Sequence, residues 1–441
     1  MKQTSGRQFP DMDRRSLLKF TGALGAMAAL AACTPKESDS TDTTGSQTAK
    51  LEFLWPGTSD PETAVANDFK TTIADKGIDL EYNFLSWADM QKQISVRVQA
   101  QDPPDLTMTQ DVSDWVRMGA LADLSDRFGS LNIDRGQFRP GSLEYSEIDG
   151  KLYALPYSAQ SWTLVVNEEL LGQAGIDIAS LETYAGMQEA AEKLTGDGKY
   201  GFCIPMQNPR FSFRTFATAA YANGFQPGDY ENPDVAKWVE TLEHLKAFND
   251  LRPPADKAWA YPEMFRAFAN GEVAMVAAGS FFTANVYELN PEIVGKSVQL
   301  AYPKGPQGSD KRVPISNAGF AAFAGSKNID KGWEALSQLM DKEWMARLTA
   351  VAHAPALTSV TTEDLKPWVE KYYPKAVEGH LKQCESQAKI ADDNGVELQK
   401  IAGQPAIEPE FQQIFSEYLA GSMSAEDTVT RMSERFAAVA Q

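Results

Sequence analysis

The chain is poor in the residues that carry redox and metal chemistry: of 441 residues, 3 are cysteine and 3 are histidine. His244, His353 and His380 stand far apart, and no C-x-x-C or H-x-x-x-H spacing occurs. A zinc site is therefore not expected, nor is any other cofactor. The chain has no Gly-x-Ser-x-Gly elbow, and so few histidines argue against a Ser/His/Asp centre. Basic charge is scarce as well, with 41 Lys plus Arg against 60 Asp plus Glu and a formal net charge of −19. Phosphate contacts need a basic footprint, so nucleic acid is disfavoured as a partner. The acidity is otherwise a statement about solubility. Beyond residue 33 no apolar run is long enough to span a bilayer, and no internal repeat is visible. Cys203 and Cys384 are free to pair outside the cytoplasm, but sequence leaves that open, and two isolated buried thiols is the simpler reading.

What is present begins at the N-terminus. Arg14-Arg15-Ser16-Leu17-Leu18-Lys19 is a basic head, 20–30 is apolar, and Leu30-Ala31-Ala32-Cys33 is a small-residue exit. That order is a signal peptide's. The apolar stretch, 13 residues from 20 to 32 and holding Gly22 and Gly25, is too short for a spanning helix of about 20 residues. The pair Arg14 and Arg15 resembles the twin-arginine export motif, although Asp13 and Leu17 depart from it; Sec export is the alternative. Leu-Ala-Ala-Cys resembles the lipobox of bacterial lipoproteins, which implies cleavage after residue 32 and a lipid on Cys33. Residues 34–50 hold no large apolar side chain before the fold begins, so 33–50 reads as a lipidated cysteine and flexible tether.

The body is long enough for two domains or one large α/β unit. Strand 51–55 closes on Pro56-Gly57, a helix follows over 61–75, and 78–84 alternates as a second strand. Ser86 with Asp89 is a capping box for a helix whose Met90, Ile94 and Val98 share a face. Pro103-Pro104 stops it before a strand at 105–108. This βαβαβ order predicts a parallel sheet covered by helices. Asp149-Gly150 predicts a tight hairpin. Further strands are expected at 163–166, 272–278, 299–302 and 313–315, with mostly helical segments between and after them.

Several motifs resemble those of the bacterial extracellular solute-binding proteins, in the sugar-binding group that includes maltodextrin-binding protein. They are Pro104-Asp105-Leu106, Trp115 with 119–124, the 149–156 segment from Asp149-Gly150-Lys151 to Leu155-Pro156, Val166-Asn167-Glu168-Glu169-Leu170-Leu171, Asn270-Gly271-Glu272-Val273-Ala274-Met275, and Pro303-x-Gly305-Pro306-x-Gly308. Val166 and the 181–184 segment depart from the family pattern. The resemblance implies a two-lobed α/β periplasmic-binding-protein-like fold of type II, each lobe a mainly parallel sheet flanked by helices, with the ligand between lobes. From the motif positions, lobe one is expected at 50–160 plus 302–345, and lobe two at 161–301 plus 346–441. The implied function is capture of a mono- or oligosaccharide for an ABC importer permease, by a monomer that is not an enzyme.

Ligands of open α/β sheets sit beyond the carboxyl ends of strands. That rule selects Trp55, Thr58 and Ser59 after the first strand, and Gln110 and Asp111 after the third. It also selects Tyr157 and Gln160 after 155–156, and Gly279, Ser280 and Phe281 after the strand at 273–278. Asn208 and Arg210 beside Pro209, Trp259 and Tyr261 in a proline-flanked loop, Asn317 and Gly319, and His353 complete the candidates. Aromatic faces cover the C–H faces of a sugar, and amide or carboxylate groups bond its hydroxyls. Each candidate has a plainer role: Trp55 in a core, Gln110 and Asp111 as helix caps, His353 in packing. Trp162, inside a strand, reads as core. An exported glycan hydrolase would need two positioned carboxylates, which the acidic count alone cannot exclude. A polyamine would want several carboxylates in these loops, where Asp111 is the chief one. A glycerol phosphate would want basic groups, where Arg210 stands alone.

Overall fold

The computed structural model of the protein describes residues 48–57, 59–110, 112–401 and 403–440. The export signal with Arg14 and Arg15, Cys33, nearly all of the tether, Thr58 and Asp111 lie outside the described residues.

The first third builds as the periodicity predicts. Strand β1 (Ala49–Pro56) leads into helix α1 (Asp60–Ala74), strand β2 (Ile78–Leu85), helix α2 (Trp87–Gln99) and strand β3 (Leu106–Thr109). β1 pairs parallel with both β2 and β3. α1 buries Val65, Ala66, Phe69 and Ile73, spaced to share one face. Ser86 accepts a hydrogen bond from the Asp89 amide at 3.1 Å and so caps α2. A hairpin of β4 (Glu147–Ile148) and β5 (Lys151–Leu152) turns through Asp149 and Gly150, at φ of 52° and 74°. Both left-handed residues are what a two-residue hairpin turn needs.

The next strand departs from expectation. Instead of ending at 156 and restarting at 163, β6 (Leu155–Asn167) is one strand of 13 residues, every one buried. Its pairing shifts register between Pro156 and Ser158, so Tyr157 is an extra, bulged residue. Helices α3 (Pro209–Ala222) and α4 (Tyr261–Ala269) follow, then β7 (Met275–Gly279), β8 (Ser297–Leu300) and β9 (Val313–Ala322). β9 is also continuous and wholly buried, so Asn317 and Gly319 lie within a strand rather than after one. The chain then gives α5 (Lys342–Val351), β10 (Ala354–Pro355), α6 (Thr362–Tyr372), α7 (Val377–Asn394), β11 (Gly395–Glu397) and α8 (Gln404–Leu419).

Among the described residues nine strands join in one sheet, ordered β10-β6-β9-β3-β1-β2, with β7 and β8 on β6 and β11 on β9. The long strands divide their partners. Residues 155–161 of β6 pair antiparallel with β9, and 162–167 pair with β7 and β8. The far end of β9 pairs with β3. Two half-sheets are thus joined through the β6/β9 pair, and each half carries its own helices. A third crossing, the segment after β11, is fixed by the Lys400 ammonium, which donates to the carbonyls of Glu144 and Glu147 at 2.7 and 2.8 Å.

Trp344 of α5 meets Phe69 of α1 edge-on at 4.9 Å, and Lys371 of α6 pairs with Asp68. The apolar stripe of α1 needs a cover, and α5 supplies it. Cys203 and Cys384 are both buried and unpaired, and burial pushes the Cys384 thiol up to about 12. No described helix is long and apolar enough to cross a membrane.

Candidate functional site

The sheet ends where the lobes meet carry two different walls. On the β1 side, Trp55 is 2 % exposed and packs on Phe53, Tyr82 and Phe320 at 5.3, 5.5 and 6.0 Å between ring centroids. Tyr157 stacks on the same Phe320 at 5.0 Å, re-aimed there by the bulge in β6. Trp55 is therefore a buried support beneath the wall, and Tyr157 is the ring above it. Ser59 caps α1 and gives its hydroxyl to the Glu62 carboxylate at 2.7 Å, while its amide donates to the same oxygen at 3.1 Å.

Glu62 escaped the sequence reading, which saw only a residue of the first helical turn. Gly57, at φ +102°, makes room for it, since a Cβ there would lie 2.3 Å from the Glu62 carboxyl carbon. Burial raises the pKa of both Tyr157 and Tyr261, and the Glu62 charge adds to each shift. The Glu62 charge is thus within electrostatic reach of a ring on the crossing strand and of a ring on lobe two. The Gly-x-Ser-x-x-Glu spacing after a strand was the available signal. Gln110, half-buried, follows β3.

The lobe-two wall is an aromatic cluster. Trp162, 3 % exposed, meets Phe211 at 5.0 Å and Phe281 at 5.6 Å, both edge-on. Phe211 stacks on Tyr261 at 5.0 Å with 15° between planes. Gly279 lets the Phe281 ring fold back over it, where a Cβ would sit 2.2 Å from that ring. Tyr261, Phe281 and Trp259 are half-buried. Asn208 accepts from the Phe211 amide at 3.1 Å, so it caps α3 and positions Phe211. Phe211 itself was missed because α3 mixes polar and apolar residues around its circumference, all of them buried from 211 to 222, so its sequence marks no face. Arg210 is half-buried and forms no ion pair among the described residues.

Three further candidates bond to each other. The Ser280 hydroxyl lies 2.7 Å from His353 Nδ1, and Gln160 Nε2 lies 3.4 Å from His353 Nε2. Ser316 donates to Gln160 Oε1 at 3.3 Å, which leaves the amide N–H2 of Gln160 facing the ring. His353 Nε2 then accepts and Nδ1–H donates to Ser280 Oγ. Burial lowers the His353 pKa to about 3, so the ring is neutral, as this tautomer requires. His353 holds a left-handed backbone, φ 81°, in reaching Ser280. The Gln387 amide closes the group by donating to the Ser280 carbonyl at 2.9 Å. Asn317 and Gly319 serve the crossing strands. Asn317 Nδ2 donates to the Ser142 carbonyl at 2.5 Å and to Ser146 Oγ at 2.7 Å. A Cβ on Gly319 would come within 2.9 Å of the Leu155 carbonyl oxygen.

Two half-sheets joined by crossing strands, with unlike walls at their meeting ends, suit a cleft that receives a solute. Residues 64–374, well over half the chain, match the family model described as bacterial extracellular solute-binding protein. The chain belongs to that family. Residues 11–31 match the twin-arginine translocation pathway signal sequence, so this solute-binding protein carries an export signal of that type. A binding protein of Brucella abortus is 26% identical over 285 residues, covering 62% of this chain and 67% of the relative. The maltotriose-binding protein of Pyrococcus abyssi is 23% identical over 273 residues, covering 58% and 55%. In fold, the chain is similar to the GacH receptor of Streptomyces glaucescens, solved unliganded and with acarbose. The TM-score is 0.71 at 20% identity, with 88% of this chain and 98% of that one covered. These matches agree with the two-lobed α/β fold expected from the motifs.

Proposed function

We propose that this solute-binding protein captures a carbohydrate in the cleft and delivers it to the permease of an ABC importer, without chemical turnover. The observation that carries this reading is the half-exposed ring pair Tyr261 and Phe281, braced by buried Trp162 and Phe211, with the Glu62 charge in electrostatic reach of Tyr261. Rings supply the faces that sugar C–H groups cover, and a fixed carboxylate accepts hydroxyl protons with directional preference. A buried acceptor left unpaired by the wrong solute costs about 1–3 kcal/mol, which is the basis of discrimination. Similarity to a maltotriose-binding protein supports the same class of solute. Solute contacts to both lobes would favour the closed arrangement over the open one.

The test is thermal melting of the exported protein with a panel of mono- and oligosaccharides, spermidine and glycerol phosphate. A solute that binds the folded state raises the melting temperature. A shift with saccharides alone is expected; a shift with spermidine or glycerol phosphate and none with any saccharide would overturn the reading. Release of reducing ends from the panel would reassign the protein to hydrolysis.

The working protein is further proposed to begin at Cys33 and to hang from the membrane by lipid on that residue, with 33–50 as its tether. Support comes from Leu30-Ala31-Ala32-Cys33 at the end of the export signal and from the composition that follows it. Cys33→Ser is expected to move the protein from the membrane fraction to the soluble one; retention in the membrane would refute the anchor.

A further inference from the structure

The segment that leads into α3 is buried but belongs to no helix or strand, so the amides of 201–206 must find acceptors elsewhere. One loop, 251–259, supplies them. Gly201 donates to the Leu251 carbonyl at 3.0 Å, Met206 to the Asp256 carbonyl at 3.1 Å, and Gln207 to the Trp259 carbonyl at 2.8 Å. Ile204 donates to a side chain instead, Oδ2 of Asp256, at 3.2 Å. Pro205 between them has no N–H to place. The Asp256 carbonyl also accepts from the Trp259 amide at 3.1 Å, which closes the short turn Pro254–Ala258.

Asp256 thus stands where two threads of chain cross, and each thread ends on the aromatic wall. One runs from Gln207 to Asn208, the cap of α3, and so to Phe211. The other runs through Trp259 to Tyr261, the first residue of α4. Phe211 and Tyr261 are the rings that stack at 5.0 Å.

The Asp256 carboxylate is held at one oxygen and left open at the other. Asp256 is wholly buried and Arg252 nearly so, and Arg252 Nη1 stands 3.5 Å from Asp256 Oδ2. Neither Asp256 Oδ1 nor Arg252 Nη1 has a hydrogen-bond partner among the described residues. The ion pair is therefore loose, and Oδ1 is the oxygen that can take a proton. Burial pushes the Asp256 carboxyl up to about 6, against the opposing pull of Arg252, the Ile204 amide and Lys257. Cys203, the other titratable group beside it, stays a thiol because burial pushes it well above its usual value. A guanidinium keeps its charge, so a proton on Oδ1 leaves Arg252 buried beside a neutral acid. A buried charge without its partner is costly, and movement of 252–259 toward water relieves that cost.

Resting on the carbohydrate reading above, we propose that Asp256 is a positioning residue of the cleft. Ionised, it holds both threads in register and keeps the Phe211, Tyr261 and Trp259 rings in place for the solute. Protonated, it loosens them, and the solute is released more readily in acid.

The profile of affinity against pH tests this, because burial lowers His244, His353 and His380 to about 3, 3 and 4, below the range in question. Maltotriose, xylotriose and chitotriose are titrated calorimetrically into the exported protein between pH 7 and pH 5, with circular dichroism checking the fold throughout. A saccharide that binds should do so about threefold or more weakly at pH 5, with a step near pH 6. Asp256→Asn keeps the shape and an acceptor for Ile204 without the charge. It should bind at pH 7 as the unmutated protein binds at pH 5, and show no step. Arg252→Gln removes the cation that favours the ionised acid, so the step should move to higher pH. Equal affinity at pH 5 and pH 7, or a step that persists in folded Asp256→Asn, would overturn the role of Asp256. Acrylamide quenching of Trp259, read as the difference between the protein and Trp259→Phe, follows the same loosening without any solute. A rise in quenching at pH 5 while no saccharide binds would bring down the carbohydrate reading and leave Asp256 in its role; no rise would overturn that role. If Asp256→Asn does not fold, the shift of the step in Arg252→Gln decides.

Discussion

The two walls of the cleft are built from the same kind of residue and put to different use. On lobe one the rings of Trp55, Phe320 and Tyr157 are buried in succession, and the polar feature above them is one carboxylate, Glu62. On lobe two Trp162 and Phe211 are buried, but Tyr261, Phe281 and Trp259 keep part of their faces open, and half-buried Arg210 adjoins Phe211 in the chain. The first wall spends its aromatic area on holding a strand end in place. The second leaves area uncovered at the mouth. Burial, rather than residue type, separates scaffolding rings from rings with a surface to offer.

The strongest way to break this contrast is Trp55→Ala. A large ring removed from a packed site costs about 3–5 kcal/mol in unfolding free energy, read by denaturant titration; a loss below about 1 kcal/mol would mean that Trp55 is not support.

Next in size is the seam between the walls. Neutral His353 has a folded-state pKa of about 3, below the roughly 6.5 of an unfolded histidine. The unfolded chain therefore binds more protons between these values, so the stability from this residue is present above pH 6.5 and is lost as pH falls toward 3. At pH 5 the loss is about 2 kcal/mol from this residue. His353→Gln should flatten the stability-against-pH curve by about that amount over pH 7 to 5. An unchanged slope would show that the ring is not held neutral. His244 and His380, also lowered by burial, to about 3 and 4, keep the remaining slope in the variant.

The smallest effect on the fold, and the most informative, belongs to Tyr261→Ala. It should cost less than about 1 kcal/mol of stability, because the ring is half-exposed. It should weaken saccharide binding about tenfold, in line with a lost aromatic face. A large stability loss with unchanged affinity would place Tyr261 with Trp55.

Much of the fold was legible because its signals are local. The β1-α1-β2-α2-β3 run shows its periods, Ser86 and Asp89 cap as spaced, and Asp149-Gly150 turns where its backbone preference says. β6 was not legible as one strand. Pro156 reads as a stop, and Ser158, Gln160 and Ser161 read as loop, because the partners that make these polar residues acceptable inside a sheet are remote. Ser158 bonds along Ala318, and Gln160 meets Ser316 and His353, at separations of 156 to 193 residues. The site followed the same rule. The strand-end principle selected Tyr157, Phe281 and Ser280, whereas it could not tell that Ser280, Gln160 and His353 occupy one another. Glu62 and Phe211 sit inside helices whose sequence gives no sign of which face meets the aromatic wall.

The shared strands have a consequence for how this protein comes apart. Each of β6 and β9 lends backbone hydrogen bonds to both halves and has no exposed residue of its own. Melting either half strips the ladder from the other, so the body should denature in a single cooperative step despite its two-part shape. For the same reason a gene fragment encoding one half would yield an orphaned sheet edge rather than a soluble half-receptor.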